Sequence, residues 1–311
     1  VNVAINPSSY HRGRTVLKIK KKPKQSIDEE YIECLNQLKE HPQKNIQAIY
    51  AAGQVNLNVA WYLQEWVEGE SLGAYVASET MTINTIRGFM RDMQAAMSHL
   101  EARGIRRGDI ADNLVVFHDT DGTPHLKLID HEVLEIKERD DFFAPFQMFL
   151  ELTFLNEGII DPTTVIYADW ETILDAFARR YKAVTQNSRE IIQKIREMQS
   201  KVVFSPGQAK YSNMSQLFDD IYAVLDMLDK AAGDEERIRG KLQGVLTGKL
   251  KFDENDLIQL SKELAVLGVR DIGDVRYSDK VQTVIVDIVS DFGEKNVVLK
   301  MTRLPTEAIT P

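Results

Sequence analysis

In the first third of the chain, apolar residues recur either at every second position, as in a strand, or at every third to fourth position, as in a helix. Residues 15–20 alternate between apolar and polar positions, which predicts a strand. Ser26 and the acidic residues after it begin a helical pattern that ends before Pro42. An apolar run at 59–63 predicts a further strand. Residues 82–102 keep one apolar face at helical spacing, which predicts a long amphipathic helix.

The rest of the chain is predicted to be mainly helical until its last segment. Further helices are predicted at 72–77, 140–155, about 162–184, 186–201, about 213–232 and 254–266. The apolar segments 280–289 and 296–301 flank Asp-Phe-Gly-Glu-Lys and predict a terminal β-hairpin. In this hairpin Asp291-Phe-Gly293 is interpreted as part of the turn, because Asp and Gly favour turns. Strands with one helix, then helices, then a hairpin predict an α+β fold.

Composition narrows the classes of function. The net charge of −9 argues against nucleic-acid binding and against binding to an anionic membrane. The single cysteine, Cys34, excludes an intrachain disulfide and a cysteine-based metal cluster, and it predicts a reducing, cytoplasmic compartment. No apolar run approaches the length of a membrane span, and no signal peptide is visible. The chain begins at Val1 rather than Met, so one interpretation is a piece of a longer protein.

The residues that suggest chemistry are concentrated between 104 and 132. Asp109 lies in a loop after an apolar strand end, Asn113 follows four residues later, and Asp130 ends the apolar run that begins at Leu126. Phosphoryl transfer from ATP needs such a set. One carboxylate orients or deprotonates the attacking hydroxyl, an amide holds one Mg²⁺, and a second carboxylate holds the metal that bridges the β- and γ-phosphates. The sequence therefore predicts Asp109 as the catalytic residue and Asn113 and Asp130 as metal ligands.

At these residues the chain resembles the protein-kinase-like superfamily. Arg107-Gly108-Asp109 stands where those enzymes carry His-Arg-Asp or His-Gly-Asp. Asp130-His131-Glu132 stands where they carry Asp-Phe-Gly or, in the aminoglycoside phosphotransferase and choline kinase branches, Asp-Phe-Glu. The resemblance implies ATP and Mg²⁺ as cofactors and a two-lobed fold. In that fold residues 1–68 form a small β-rich N-lobe, 69–250 a helical C-lobe, and 251–311 an appended C-terminal extension with the β-hairpin.

The resemblance also implies which residues hold the phosphates of the nucleotide. Kinases use a strand lysine for the α- and β-phosphates and a helix glutamate that orients this lysine. Lys18 is the candidate lysine, with Lys20 as the alternative. Glu30 is the candidate glutamate, with Glu33 as the alternative on the same predicted helix.

A third implied feature is the hinge between the two lobes, which the run Tyr62–Gly69 resembles. In a hinge of this kind the backbone from Glu65 to Val67 would hydrogen-bond the edge of the adenine. The side chain of Gln64 would then guard the rear of the nucleotide pocket.

The chain departs from the family pattern near both aspartates. Asn113 lies one residue closer to Asp109 than the family spacing puts it, so Asp112 is an alternative metal ligand. Ala111 stands where a basic residue usually contacts the γ-phosphate. No Gly-rich loop precedes Lys18, and neither a long activation segment nor an Ala-Pro-Glu anchor follows the second aspartate. These departures shift the resemblance towards small-molecule kinases and towards bacterial effector kinases that lack the segment.

Two hypotheses follow from these residues. The first is an active, ATP-dependent phosphotransferase that transfers the γ-phosphate to a hydroxyl of a protein or a small molecule, in the host cytosol if the chain is a secreted bacterial effector. The second is a catalytically impaired pseudokinase that acts as a scaffold or regulator, with the C-terminal extension as the surface for a protein partner. Transfer of a nucleotidyl group is a third alternative that the residues leave open.

Overall fold

The computed structural model describes a large part of the chain, in ranges separated by short gaps. These ranges are 15–21, 29–56, 59–107, 110, 113–131, 134–136, 142–155, 170–181, 187–202, 210–249, 252–266, 269–278, 283–290 and 297–302. They contain small antiparallel sheets and α-helices, so the fold is α+β, as the sequence predicts.

The first sheet has three strands, β1 (Thr15–Lys21), β2 (Ile49–Asn56) and β3 (Val59–Glu65), in the antiparallel order β1-β3-β2. The predicted strands at 15–20 and 59–63 are confirmed. Strand β2 was not predicted, because its Ala-Ala-Gly centre lacks the branched and aromatic residues typical of strands. Helix α1 (Glu29–Glu40) contacts β2 and buries Cys34 together with its apolar residues.

Two helices follow the first sheet, and both are confirmed. Helix α2 (Leu72–Ser78) begins after Ser71, whose hydroxyl accepts the Ala74 N–H at 3.3 Å. Helix α3 (Ile83–Glu101) begins after Thr82, whose hydroxyl accepts the Thr85 N–H at 3.1 Å. Such caps satisfy backbone donors that the first helical turn leaves open. The apolar face of α3 is buried, with residues such as Phe89 and Met90 fully covered.

The described part of the segment between α3 and the next helix contains four short strands, β5 to β8. Strands β6 (Leu114–His118) and β7 (Pro124–Leu128) form a hairpin, with β4 (Glu70–Ser71) on the far side of β6. Strand β5 (Ile105–Arg107) pairs with β8 (Leu134–Ile136). Gly69 precedes β4 and lies so close to β6 that a Cβ there would be 2.2 Å from the Val116 carbonyl oxygen. Only glycine fits this approach, which fixes the chain just after β3 against the hairpin.

Within the described residues the later helices agree with the predicted ones except for one boundary; the predicted positions 140–141, 162–169 and 182–184 lie outside these residues. They are α4 (Phe143–Leu150) with a π-helical turn at Glu151–Leu155, α5 (Trp170–Tyr181), α6 (Asn187–Val202), α7 (Met214–Lys249) and α8 (Glu254–Val266). The predicted end of α7 near 232 was wrong. Gly233 signals a helix end, but the following residues favour helix, and the buried Ile238, Leu242 and Leu246 continue the apolar face.

The last strands form a separate antiparallel sheet, β9 (Val269–Ser278), β10 (Thr283–Ser290) and β11 (Val297–Thr302), in the order β11-β10-β9. The hairpin predicted from 280–289 and 296–301 is confirmed in β10 and β11. Strand β9 was not predicted. The turn motif Asp291-Phe-Gly293 lies outside the described residues.

The contacts divide the chain into two compact units. One lies within residues 1–165 and 200–221, and the other within 166–199 and 222–311. This division does not coincide with the boundaries at 68 and 250 expected from the sequence, which stay predictions. Among the helices of the described ranges, none combines the length and the apolar character that crossing a membrane requires.

Candidate functional site

Lys18 and Asp130 meet in an ion pair, although 112 residues separate them in sequence. The Lys18 Nζ lies 2.7 Å from Asp130 Oδ2. The Lys18 side chain lies on the inner face of the first sheet, the face that carries the buried Tyr62 opposite it on β3. Asp130 follows the end of β7. The side chains remain 32% and 24% exposed, so the pair lies in a region that solvent reaches. The predicted phosphate lysine and the predicted metal ligand thus lie together.

The backbone of Asp130 has a strained conformation. Its φ of 59° lies in the left-handed region, which Asp and Asn adopt more readily than other residues with a side chain. Its N–H donates to Gln47 Oε1 at 2.9 Å, which holds the residue in this conformation. Oδ1 is buried and has no hydrogen-bond partner. Backbone strain of this kind is found preferentially at functional sites. The unpaired Oδ1 can therefore act as an acceptor for a bound ligand.

Asn113 lies at the same end of the β6–β7 hairpin as Asp130. Its carbonyl oxygen accepts the N–H of Ile129, the residue before Asp130, at 2.8 Å, and its own N–H donates to Ile110 at 3.2 Å. The structure therefore brings the two predicted metal ligands into neighbouring positions. The predicted catalytic Asp109 and the alternative ligand Asp112 lie outside the described residues.

Gln47 connects the first sheet to the Asp130 segment, a role that the sequence did not predict. Its side chain accepts from the Asp130 N–H and donates to the Glu65 carbonyl oxygen at 2.7 Å. Its backbone N–H donates to the Leu128 carbonyl oxygen at 2.8 Å. Only 5% of the residue is exposed. A single glutamine in a loop carries no sequence signal for such a role, because its partners are distant in sequence.

Glu65, at the end of β3, is held by contacts on both its side chain and its backbone. The carboxylate accepts Lys127 Nζ at 2.8 and 3.0 Å and the Ala48 N–H at 3.1 Å. Its N–H donates to the Ala48 carbonyl oxygen at 2.9 Å. The backbone groups predicted to bind adenine are thus already bonded at Glu65. Val67 lies after the strand and is half-buried, and its contact with adenine stays a prediction.

Gln64 and Glu30 differ in their surroundings. Gln64 is 3% exposed on the inner face of β3, between Val16 and Ile49 of the neighbouring strands. Its Oε1 is buried without a hydrogen-bond partner. Glu30 is exposed in the first turn of α1, and its role in orienting Lys18 stays a prediction.

Two buried side chains near Asp130, those of Arg107 and His131, hydrogen-bond to backbone carbonyl oxygens. Arg107 is 1% exposed, and its Nη2 donates to the Ile129 carbonyl oxygen. His131 Nε2 lies 2.9 Å from the Gln47 carbonyl oxygen, which assigns the ring proton to Nε2 because the carbonyl can only accept. Burial, and then the positive charge of Arg107, lower the pKa of His131 to about 4. His131 is therefore a neutral donor at pH 7.

This buried histidine predicts a loss of stability in weak acid. The unfolded chain protonates His131 near pH 6.5, whereas the lowered pKa of about 4 keeps the folded ring neutral. The unfolded state then binds more protons between these values, so stability falls as the pH drops through this window. We expect a loss of roughly 3 kcal/mol between pH 7 and pH 4, measured by urea unfolding. His131→Gln should flatten this part of the pH profile, and an unchanged profile would contradict the assignment.

Within the described residues, no three or more His, Cys, Asp or Glu side chains form a ready-made metal site. This is compatible with magnesium, which is commonly held by one or two carboxylates together with the phosphates of a substrate. The sequence matches no model of a known protein family, and no curated protein matches it.

Proposed function

We propose that this chain is an ATP-dependent phosphotransferase with a two-lobed, kinase-like fold, which transfers the γ-phosphate to a hydroxyl of a protein or a small molecule. The observation that carries the proposal is the 2.7 Å contact between Lys18 Nζ and Asp130 Oδ2. A phosphate-binding lysine and a metal-binding aspartate must lie close together, because both act on the same triphosphate.

The order of the described elements supports the kinase-like fold. The long helix α3 is preceded by strand β1 with Lys18, helix α1, strands β2 and β3, and a linking segment of residues 66–82 that contains β4 and α2. A loop, a hairpin and Asp130 then follow α3. In the antiparallel order β1-β3-β2, strand β1 with Lys18 lies next to β3, the strand that precedes the linking segment. This arrangement is what the proposed cleft between two lobes requires.

The residues at the end of the β6–β7 hairpin fit Mg²⁺. Asp130 Oδ1 is a buried carboxylate oxygen without a hydrogen-bond partner, and such oxygens are the ligands that this hard cation prefers. Asp130 would hold the ion together with Asn113 or Asp112. Bound there, the ion would neutralise the charge of the β- and γ-phosphates.

The chain's own residues perform the remaining tasks. Lys18 would donate charge-assisted hydrogen bonds to phosphate oxygens, which are stronger than bonds between neutral groups. Asp109 would orient the acceptor hydroxyl and take its proton as the bond to phosphorus forms. Gln47 and Arg107 fix the backbone on either side of the Asp130 peptide, so the carboxylate is held in place before the substrate binds.

The test is a calorimetric titration of the protein with ATP, with and without Mg²⁺, followed by a turnover assay. We expect binding that requires Mg²⁺. Asp109→Asn should leave the nucleotide affinity nearly unchanged and lower the rate by a factor of about 100 to 10,000, as loss of a general base does. Full turnover in this variant would remove Asp109 from the mechanism, and no binding at millimolar ATP would contradict the phosphotransferase.

The alternative function is a pseudokinase that acts as a scaffold or regulator. The observation that favours it is the same ion pair, since Asp130 Oδ2 and Lys18 already neutralise each other within the chain. A protein that uses this pair only to join its sheet to its hairpin would bind no nucleotide. The titration therefore separates the two functions.

A further inference from the structure

The end of β3 contains a buried carboxamide with an unused acceptor. Gln64 is 3% exposed, and its Oε1 has no hydrogen-bond partner. Leaving such an oxygen unpaired lowers the stability of the folded state, so an orphaned acceptor in a native interior needs a reason. A ligand that brings a donor to this oxygen supplies one.

Gln64 shares the face of the sheet that carries Lys18. In an antiparallel pair, residues opposite each other point to the same side, and so do residues two apart on one strand. Val16 lies opposite Gln64, and Lys18 lies opposite Tyr62. The Gln64 and Lys18 side chains are therefore diagonal neighbours on the face from which Lys18 reaches Asp130.

The backbone next to Gln64 is already engaged. The Glu65 N–H donates to the Ala48 carbonyl oxygen at 2.9 Å, and the Glu65 carbonyl oxygen accepts Gln47 Nε2 at 2.7 Å. A base that enters here finds both backbone groups of Glu65 bonded within the chain. Gln64 Oε1, by contrast, is a buried side-chain acceptor without a hydrogen-bond partner.

We propose that Gln64 is the residue that recognises the nucleotide base, with its Oε1 accepting a hydrogen bond from the 6-amino group of adenine. This inference rests on the proposed function, because it assumes a purine nucleotide between Gln64 and Asp130. A glutamine carboxamide suits the task, since it pairs with adenine through an acceptor and a donor side by side. The site would thus select its nucleotide through a side chain rather than through the Glu65 backbone.

The test compares Mg²⁺-ATP with the triphosphate of purine riboside, which lacks the 6-amino group, by calorimetry. In the unaltered protein ATP should bind roughly tenfold more tightly, because the analogue leaves Oε1 unpaired. Gln64→Met keeps the length of the side chain but removes the acceptor, and it should bring the affinity ratio to about one. It should also raise or maintain the melting temperature of the free protein, since a buried orphaned group is removed.

Gln147→Met is the matched control. Gln147 of α4 is also 3% exposed, but its carboxamide donates to Glu151 in the π-helical turn at 2.9 Å, and its replacement should leave the affinity ratio unchanged. A ratio that persists in Gln64→Met would overturn the inference while leaving the phosphotransferase intact. Equal affinities in the unaltered protein would overturn it even if the variant did not fold. Failure of both nucleotides to bind would overturn the inference and the proposed function together.

Discussion

Replacing Asp130 with asparagine is expected to abolish Mg²⁺-dependent ATP binding and to lower turnover by orders of magnitude. The change removes the negative charge that would hold the metal, while the shape of the side chain stays nearly the same. Asparagine tolerates the left-handed backbone as well as aspartate does, so the φ of 59° at this position can be kept. The hydrogen bond from the residue's N–H to Gln47 does not depend on the side chain.

The fold should therefore survive the Asp130→Asn change. Loss of the ion pair with Lys18 should cost less than about 1 kcal/mol, because the partners are 32% and 24% exposed and solvent screens the pair. Calorimetry measures ATP binding, and thermal unfolding measures stability. Asp121→Asn, in the exposed turn of the β6–β7 hairpin, controls for the change in net charge and should bind as before. Unaltered Mg²⁺-dependent binding in Asp130→Asn would contradict the metal assignment.

Replacing Lys18 with methionine is expected to weaken ATP binding by a factor of roughly 10 to 100. Methionine keeps much of the apolar stem but removes the ammonium group, and hydrogen bonds to charged groups are worth about 1.5 to 3 kcal/mol. The loss should be larger for ATP than for adenosine, because adenosine carries no phosphate. Competition binding with both ligands measures this difference.

Lys20→Met is the matched control for Lys18→Met. Lys20 lies on the same face of β1, and its Nζ is 4.1 Å from the centre of the Tyr31 ring. Its replacement should cost stability of up to about 1 kcal/mol from the lost cation–π contact and leave ATP binding unchanged. The opposite result, with binding lost only in Lys20→Met, would make Lys20 the phosphate lysine. Equal losses in the two variants would indicate a general effect of positive charge.

The local elements of the fold were largely predictable from the sequence. The apolar periods of α1 and α3, the Thr82 cap of α3 and the proline after α1 are signals that neighbouring residues carry by themselves. The terminal hairpin of β10 and β11 was predictable for the same reason. Strands β2 and β9 were missed, since a strand without clear alternation is defined by the partners that hydrogen-bond to it. The end of α7 was misjudged, because buried residues beyond Gly233 outweigh its local cost.

The candidate site was predictable only in part. Lys18 and Asp130 could be named because their order and spacing along the chain resemble those of the strand lysine and the metal-binding aspartate in kinases. Gln47 could not be named, since its partners Asp130 and Glu65 lie 83 and 18 residues away. Lys127 looks like an ordinary solvated lysine of an alternating strand until its Nζ is seen on the Glu65 carboxylate.

The sequence by itself thus determined the α+β class, the helices with their own caps and periods, and the residue types that suggest phosphoryl transfer. The tertiary structure alone decided that Lys18 reaches Asp130, that Gln47 engages the Glu65 carbonyl, and that Gln64 keeps an unpaired acceptor. The physical reason is the range of the interactions. Helix periods and caps depend on residues a few positions apart, whereas burial and long-range hydrogen bonds exist only after the sheet and the hairpin have come together.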